Sequence, residues 1–295
     1  MKVIVTGSSG MLAGDLIPEL EQSGIDVVRY DLPVYDITNY ERSSKQIHSD
    51  SPSMIINCAA YTAVDKAETE SQKAYAVNRD GAKNLAVICN KSGIPLIHIS
   101  TDYVFDGRTS QPYRETDKTN PLNVYGKSKW EGEEAVRSAL PEHLILRTAW
   151  LYGVHGSNFA KTILQLAREK EVLRIVNDQF GCPTWTGDLA YAIKDIIHAL
   201  DKISDNKLWG TYHVCATGKT TWYGFACAIF DEARNHEKLS VREVIPITSK
   251  EYPQSANRPP MSALDTGKLT QTFAIHPLKW QEGLKRMLEC YYGEN

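Results

Sequence analysis

Tyr125 and Lys129 lie four residues apart in a stretch whose apolar residues have helical spacing. Four residues turn an α-helix by about 400°, so the two side chains would point to the same side. A nearby ammonium stabilises a phenolate, which predicts a tyrosine pKa below its reference value of about 10 and a phenol able to donate a proton. Thr101, at the end of a predicted strand, could hydrogen-bond a reacting carbonyl. Because a tyrosine and a lysine at this spacing also occur by chance, a catalytic role needs support from other motifs in the sequence.

A glycine-rich loop supplies that support. Residues 7–14 (GSSGMLAG) join the first predicted strand to the first predicted helix, which begins with Met11 and Leu12. Gly7 and Gly10 permit a tight turn and a close approach of backbone to phosphate, and helix N-terminal N–H groups attract a pyrophosphate. Ala13 is the third small residue. A plain strand-to-helix turn would look similar, but this placement favours dinucleotide binding.

Asp31 follows the second predicted strand, 18 residues beyond Ala13, where an acidic residue commonly receives the adenosine ribose hydroxyls. Arg29 could instead hold a 2′-phosphate, so both NADH and NADPH stay open. Other positions are expected along the cofactor, and these are Asp36, Ile37, Ala59, Ala60 and Tyr61. A solvated loop carboxylate explains Asp36 equally well.

The order of the elements predicts a Rossmann-type α/β fold, with a doubly wound parallel sheet and a smaller α/β substrate-binding lobe. Strands are predicted over 2–6, 26–30, 53–58, 94–100 and 143–148, and helices over 11–23, 40–48, 71–92 and 124–140. Beyond about residue 150 we expect helices near 158–168, 188–200, 222–234 and 280–291, a loop over 177–184 and a strand over 211–214. The predicted domains are 1–152 and 153–295, and an interleaving of the two stays open.

Composition excludes several classes of function. Among 295 residues, 33 basic side chains face 36 acidic ones, which disfavours nucleic acid and anionic membranes as partners. No apolar run approaches the ~20 residues of a membrane helix, and the six cysteines are scattered without a Cys-x-x-Cys pair. We therefore expect a cytoplasmic protein.

Taken together, the motifs resemble the extended short-chain dehydrogenase/reductase superfamily. The resemblance is carried by residues 62–68, 100–105, 121–126 with Lys129, 147–152, 158–162, 177–181, 220–223, Arg258 with Pro259, and 280–283 followed by 285–288. It covers nearly the whole chain, whereas sugar epimerases and dehydratases share only the nucleotide half. Within the superfamily it points to the reductases of dTDP-L-rhamnose synthesis.

The resemblance implies reduction of the C4 ketone of dTDP-4-dehydro-β-L-rhamnose to dTDP-β-L-rhamnose with NADPH or NADH. It implies that Tyr125 donates the proton, that Lys129 is its partner and anchors the nicotinamide ribose, and that Thr101 is the third catalytic group. The implied substrate-binding residues are Thr101, Asp102, Val104, Trp150, Asn158, Lys161, Gln179 and Arg258.

Physical reasoning on the second half agrees, because a dTDP-sugar needs flat surfaces for thymine and cations for its diphosphate. Lys161 and Arg258 are the candidate cations, although Arg258 could be a solvated loop charge. The candidate aromatic surfaces are Trp150, Trp185, Trp222 and Tyr223. For Trp185 and Trp222 a role in the core is an equal alternative.

Other readings remain beside this one. The chain could act on a different nucleotide sugar as an epimerase or reductase, or be a non-catalytic regulatory subunit. Some relatives bind Mg²⁺ through glutamates at a dimer contact. The matching positions here are Asp15, Asp188 and roughly Cys290, with Glu289 one residue away. Bound Mg²⁺ therefore stays possible but is disfavoured, and so is a metal-bridged dimer. The chain is expected to be a monomer or a homodimer.

Overall fold

The computed structural model describes residues 1–202 and 208–293. Its strands are β1 (Lys2–Thr6), β2 (Asp26–Tyr30), β3 (Met54–Asn57), β4 (Leu96–Thr101), β5 (His143–Thr148), β6 (Leu151–Tyr152), β7 (Val172–Val176), β8 (Phe180–Gly181), β9 (Thr184–Trp185), β10 (Gly210–His213), β11 (Thr220–Thr221) and β12 (Glu243–Ile247). Its helices are α1 (Met11–Gln22), α2 (Tyr40–Asp50), α3 (Val64–Ala67), α4 (Ser71–Tyr75), α5 (Ala82–Ser92), α6 (Val124–Ala139), α7 (Phe159–Glu169), α8 (Thr186–Lys202), α9 (Trp222–Ala233), α10 (Gly267–Phe273) and α11 (Trp280–Gly293). Within these described ranges, no helix is long and apolar enough to cross a membrane.

A six-stranded parallel sheet forms the centre, in the order β10-β5-β4-β3-β1-β2. Along β1, Val3 packs into a core with Leu16 of α1 and Ile193 of α8. Its neighbour Ile4 points to the opposite face, into a core that includes Val136 of α6. Both faces are therefore covered by helices, which explains why the strands are continuously apolar. The predicted doubly wound α/β fold is confirmed.

The second half of the chain contributes to two places. Helix α8 packs on α1, and strand β10 pairs with β5 at the edge of the central sheet. A separate core is built from α7, α9, α11 and β7, and it includes Leu164, Phe225 and Met287. The parallel pair β7–β12 was not predicted. Residues after 153 thus supply both a second core and one edge of the sheet, and the boundary near residue 152 stays a prediction.

The helix predicted over 71–92 is interrupted. Helix α4 ends at Tyr75, and a π-helical turn spans Ala76–Gly81 before α5 begins. The turn carries the buried Asn78, whose amide bonds the backbone N (2.8 Å) and O (3.0 Å) of Tyr61 and the hydroxyl of Ser128 (2.9 Å). A Cβ at Gly132 of α6 would lie 2.1 Å from the Asn78 carbonyl oxygen. The wide turn therefore fits Asn78 between α6 and the end of β3, as π turns often do near functional sites.

Candidate active site

A cleft of about 830 Å³ opens at the carboxyl ends of the central strands. Ligands of doubly wound sheets bind at this edge. Most predicted site positions line the cleft, namely Gly7, Gly10, Met11, Leu12, Asp31, Asp36, Ile37, Ala59, Ala60, Tyr61, Thr101, Asp102, Tyr125, Lys129, Trp150 and Asn158. Val104, Lys161, Gln179 and Arg258 lie outside its lining. The structure therefore gathers the predicted cofactor and catalytic positions in one place.

The glycine loop has the shape that a pyrophosphate requires. Gly7 has φ +65°, and a Cβ there would lie only 2.7 Å from the backbone nitrogen of Ala59, so no larger residue fits. Gly10 precedes α1 without a side-chain cap, and the first turn of α1 has no acidic residue. The N–H groups at this helix start are thus available to an anion, which is favoured by the helix dipole.

Asp31 braces this loop from the next strand. Its carboxylate accepts hydrogen bonds from the backbone N–H groups of Ser9 (2.5 Å) and Leu32 (2.8 Å). Burial raises the pKa of Asp31, but these hydrogen bonds outweigh burial and lower the pKa below its ordinary value. The guanidinium of Arg29 binds Glu21 at 2.8 Å. Both residues predicted to decide coenzyme choice are therefore held by protein partners, and the choice stays open.

The three predicted catalytic residues come from two elements. Thr101 ends β4, whereas Tyr125 and Lys129 lie in the first two turns of α6. The side chain of Asn123 caps α6 by accepting a hydrogen bond from the Gly126 backbone at 2.7 Å. A Cβ at Gly126 would lie 2.2 Å from the carbonyl oxygen of Tyr103, so glycine lets α6 approach the turn that follows β4. This close approach brings Tyr125 within hydrogen-bonding reach of Thr101.

The electrostatics of the pair differ from the expectation. Burial raises the pKa of Tyr125 to about 12, partly offset by the hydrogen bond with Thr101. Burial also lowers the pKa of Lys129 to about 8, against the opposing charge of Glu133. The expected lowering of the tyrosine pKa is wrong, because desolvation dominates and Lys129 Nζ donates instead to the Ile99 carbonyl at 2.6 Å. Tyr125 is therefore a neutral phenol that still carries the proton it would donate.

Asp102 lies directly behind Thr101. Thr101 Oγ1 donates its one proton to Asp102 Oδ1 at 3.0 Å and accepts from the backbone N–H of Tyr103 at 3.2 Å. The side chain of Asp102 is buried, and burial raises its pKa to about 7. Asp102 thus orients the Thr101 hydroxyl.

An aromatic wall closes the other side of the cleft. Trp150 has φ +47°, and its ring stacks on Trp222 with centroids 3.5 Å apart and planes 2° apart. Trp222 Nε1 donates to the buried Gln179 Oε1 at 3.2 Å. Both tryptophans line the cleft, so Trp222 combines packing with a surface that a ligand can reach. Trp185 is buried in the second core and does not line the cleft.

The two candidate diphosphate cations are both held by protein groups. Arg258 Nη2 pairs with Asp65 Oδ2 at 2.7 Å, and Lys161 Nζ donates to the Val154 carbonyl at 2.8 Å. Their predicted contacts with substrate require a change of partner and stay predictions. Val104 packs in an apolar cluster behind the strand end.

Sequence reasoning missed two polar groups beside the catalytic residues. Asn78 has no signal in the helical pattern that contains it. Glu133 lies four residues beyond Lys129, so the same spacing argument could have placed it on the same side of α6.

At the positions considered for a metal, Asp15 bonds Thr186 and Asp188 pairs with Arg286 at 2.6 Å. The part of the chain that the structure describes holds no cluster of three or more metal-ligating side chains.

Comparisons with known proteins cover the whole chain. The family model described as the RmlD substrate binding domain matches residues 1–292. A dTDP-4-dehydrorhamnose reductase from Aggregatibacter actinomycetemcomitans is 42% identical over 97% of this chain and 98% of its own. A solved dTDP-4-dehydrorhamnose reductase from Bacillus anthracis, in complex with NADP, has a TM-score of 0.91 at 39% identity, covering 97% of this chain and 98% of that one. Another from Clostridium acetobutylicum has a TM-score of 0.91 at 37% identity, covering 98% and 99%.

Proposed function

This chain belongs to the family of the RmlD substrate binding domain, and we infer that it reduces the C4 ketone of dTDP-4-dehydro-β-L-rhamnose to dTDP-β-L-rhamnose. The reduction is the last step of dTDP-L-rhamnose synthesis, and the reductant is NADPH or NADH. One observation carries the assignment: Tyr125, Lys129 and Thr101 meet in the same cleft as a glycine loop shaped for a pyrophosphate. Relatives with the named activity match over nearly the full chain, including the half that would bind the sugar.

The cofactor, when bound, supplies the hydride that reduces C4. The chain supplies the rest. The N–H groups at the start of α1 would hold the pyrophosphate, and the Thr101 hydroxyl would turn its one proton from Asp102 to the substrate oxygen. Tyr125 donates its Oη proton to that oxygen, which becomes the product hydroxyl. The Lys129 ammonium then stabilises the phenolate that remains, because its pKa of about 8 leaves it mostly protonated at neutral pH.

The surroundings of the sugar follow from the aromatic wall. We propose that Trp150 and Trp222 present their stacked rings to the deoxyhexulose, with Asn158 beside them. Arg258 and Lys161 would turn from their present partners to the diphosphate. We also propose that the protein is a monomer or a homodimer and that it is located in the cytoplasm, where buried thiols such as those of Cys89 and Cys182 stay reduced.

Tyr125→Phe tests the assignment. General acid catalysis typically contributes ~10²- to 10⁴-fold, so kcat for NADPH oxidation with dTDP-4-dehydro-β-L-rhamnose should fall by about that factor. NADPH affinity should stay near the wild-type value, because the phenol hydroxyl acts on the substrate. The matched control is Tyr191→Phe, since Tyr191 is exposed and does not line the cleft.

Two results would refute the assignment. One is wild-type turnover by the Tyr125→Phe variant. The other is product formed by the wild type without stoichiometric consumption of NADPH or NADH, which would indicate an epimerase.

A further inference from the structure

Glu133 is a fully buried carboxylate that the proposed mechanism does not use. It accepts hydrogen bonds from Ser100 Oγ (2.6 Å), from Arg147 Nε (2.9 Å) and Nη2 (2.6 Å), and from Arg137 Nη2 (2.8 Å). Burial of a carboxylate is unfavourable unless its lone pairs are satisfied, and here two cations and a hydroxyl satisfy them. The sequence therefore maintains a costly ionised group within the catalytic helix α6, where the helix packs on β4 and β5.

The bonds of Glu133 and Lys129 join α6 to the end of β4 at successive residues. Lys129 bonds the carbonyl of Ile99, Glu133 bonds the hydroxyl of Ser100, and Thr101 comes next in the chain. Ser100 is also the sheet partner of Arg147 on β5. Glu133 thus fixes the strand that presents Thr101 against the helix that presents Tyr125 and Lys129. A misplacement of only about 1 Å between such groups can cost ~10²-fold in rate.

The charges around Lys129 leave Glu133 as the group that favours its ammonium form. After β3, the Cys58 thiol is neutral because burial raises its pKa to about 12. On β4, burial keeps the pKa of His98 well below its ordinary value, so that ring is neutral too. Toward the cleft stand Tyr125, a neutral phenol, and the carboxyl of Asp102 behind Thr101. Asp102 has a pKa of about 7, so its charge changes with pH, and it is not among the groups that shift the pKa of Lys129, of which Glu133 acts most strongly against burial.

Glu133 itself stays ionised. Burial raises its pKa, but the charges and hydrogen bonds of Arg147 and Arg137 outweigh burial and bring the pKa to about 2. Its negative charge is thus constant over the pH range in which an enzyme of this kind works. It opposes the burial that favours loss of a proton from Lys129.

We propose that Glu133 is a positioning residue of the active site, which holds Thr101 opposite Tyr125 through Ser100 and keeps Lys129 protonated through its charge. The proposal rests on the proposed function, since the positioned groups are those of the reduction. Glu133 touches neither the cleft nor a reacting atom. Its two effects, on geometry and on charge, can be separated by substitution.

The experiment compares pH profiles of kcat/KM for dTDP-4-dehydro-β-L-rhamnose at saturating NADPH. Glu133→Gln keeps the shape and removes the charge, so the alkaline fall in activity should move to lower pH by about one unit or more. Arg137→Met also removes a charge bonded to Glu133, but a positive one, so its profile should not move to lower pH. Ser100→Ala keeps the charges of Glu133 and Lys129. It should lower kcat about tenfold at every pH, while the pH at which activity falls on the alkaline side stays that of the wild type.

A second readout is independent of turnover. The side-chain carbon signals of ¹³C-labelled lysine, assigned with Lys129→Met, report the titration of Lys129 directly by NMR. The Lys129 pKa should be lower in Glu133→Gln than in the wild type. A wild type that does not reduce the dTDP-sugar would refute the proposed function, and the NMR titration would still decide the role of Glu133.

The proposal is overturned if folded Glu133→Gln shows the wild-type Lys129 titration, or if its profile moves together with that of Arg137→Met. It is also overturned if Ser100→Ala has wild-type kcat. Thermal melts establish which variants fold. Should Glu133→Gln not fold, the double variant Glu133→Gln/Arg137→Met, which loses the carboxylate together with one of its cations, takes its place in both readouts. Ser100→Ala still decides the positioning of Thr101, because it deletes one hydroxyl and no charge.

Discussion

Replacing Gly181 with alanine places a methyl group against the indole of Trp150. The new Cβ would lie 2.2 Å from Trp150 Cε2 and 2.4 Å from Nε1, where an ordinary contact needs about 3.5 Å. The backbone at Gly181 is not in the left-handed region, so alanine is tolerated there and the conflict is steric. Trp150 must shift by roughly 1.3 Å, which disturbs its stack on Trp222.

A displacement of this size at the sugar wall should lower kcat/KM for the dTDP-sugar by ~10²-fold. Gly181 lies outside the lining of the cleft that contains the glycine loop, so the dissociation constant of NADPH should stay within about twofold of the wild type. The stability cost of such overpacking is about 1–3 kcal/mol. Tryptophan fluorescence and near-ultraviolet circular dichroism should both change, because the stacked pair is disturbed.

Gly293→Ala is the matched control. Gly293 ends α11, and no atom lies within 4 Å of the position of its added Cβ. That variant should keep wild-type kinetics. Wild-type kcat/KM in Gly181→Ala, with an altered aromatic signal, would show that Trp150 does not touch the sugar, and an unaltered signal would refute the steric argument itself.

Further predictions concern stability, substrate and coenzyme. Burial lowers the Lys129 pKa from 10.5 to about 8, so between pH 8 and pH 10.5 the unfolded chain binds more protons than the folded one. The free-energy cost of burying the Lys129 ammonium therefore destabilises the folded protein fully below pH 8. Lys129→Met should therefore abolish turnover yet raise the free energy of unfolding at pH 7 by about 1 kcal/mol, since a burial cost of about 3 kcal/mol is removed but the Ile99 carbonyl loses its donor at a cost of about 1–3 kcal/mol. Denaturant titrations should find the free energy of unfolding of the variant falling relative to the wild type as pH rises from 8 to 10.5. Arg258→Ala should raise KM for the dTDP-sugar ~10- to 100-fold at saturating coenzyme. Asp65→Asn breaks the same ion pair but keeps the cation, so it should change KM only a few-fold. If the two variants have the same KM, Arg258 has a structural role and does not bind the diphosphate. Asp31→Ala should shift the ratio of kcat/KM values toward NADPH by removing a charge that repels a 2′-phosphate, and an unaltered ratio would place Asp31 away from the ribose.

Sequence patterns predicted the strands and helices whose formation depends on residues close together in the chain. Continuous apolar strands and helical spacing located β1 to β5 and most helices to within a few residues, because both faces of the sheet are covered. The parallel pair of β7 and β12 escaped prediction, since each is a short run and the two lie far apart in the chain. The π turn at Ala76–Gly81 was missed for a similar reason: it exists to fit Asn78 against α6, which comes later in the sequence.

Within the site, the functional residues were easier to predict than their protonation states and hydrogen-bond partners. Tyr125 and Lys129 were identified by spacing, but the pKa of Tyr125 depends on burial and on the carbonyl that Lys129 contacts. Arg258 was identified as a cation in a proline-rich loop, yet its partner Asp65 comes from the first half of the chain. Sequence spacing shows which side chains share a helix face, but it does not show which distant group satisfies each charge.

The late arrival of α8 and β10 affects the chain while it is being synthesised. Strand β5 and the apolar side of α1 leave the ribosome before α8 and β10, which cover them in the finished sheet. Until then the nascent chain exposes an unpaired strand edge beside a bare apolar helix face, and both promote aggregation. The nucleotide half therefore cannot complete its fold during its own translation. Chaperones that shield apolar nascent chains should bind it until β10 closes the sheet.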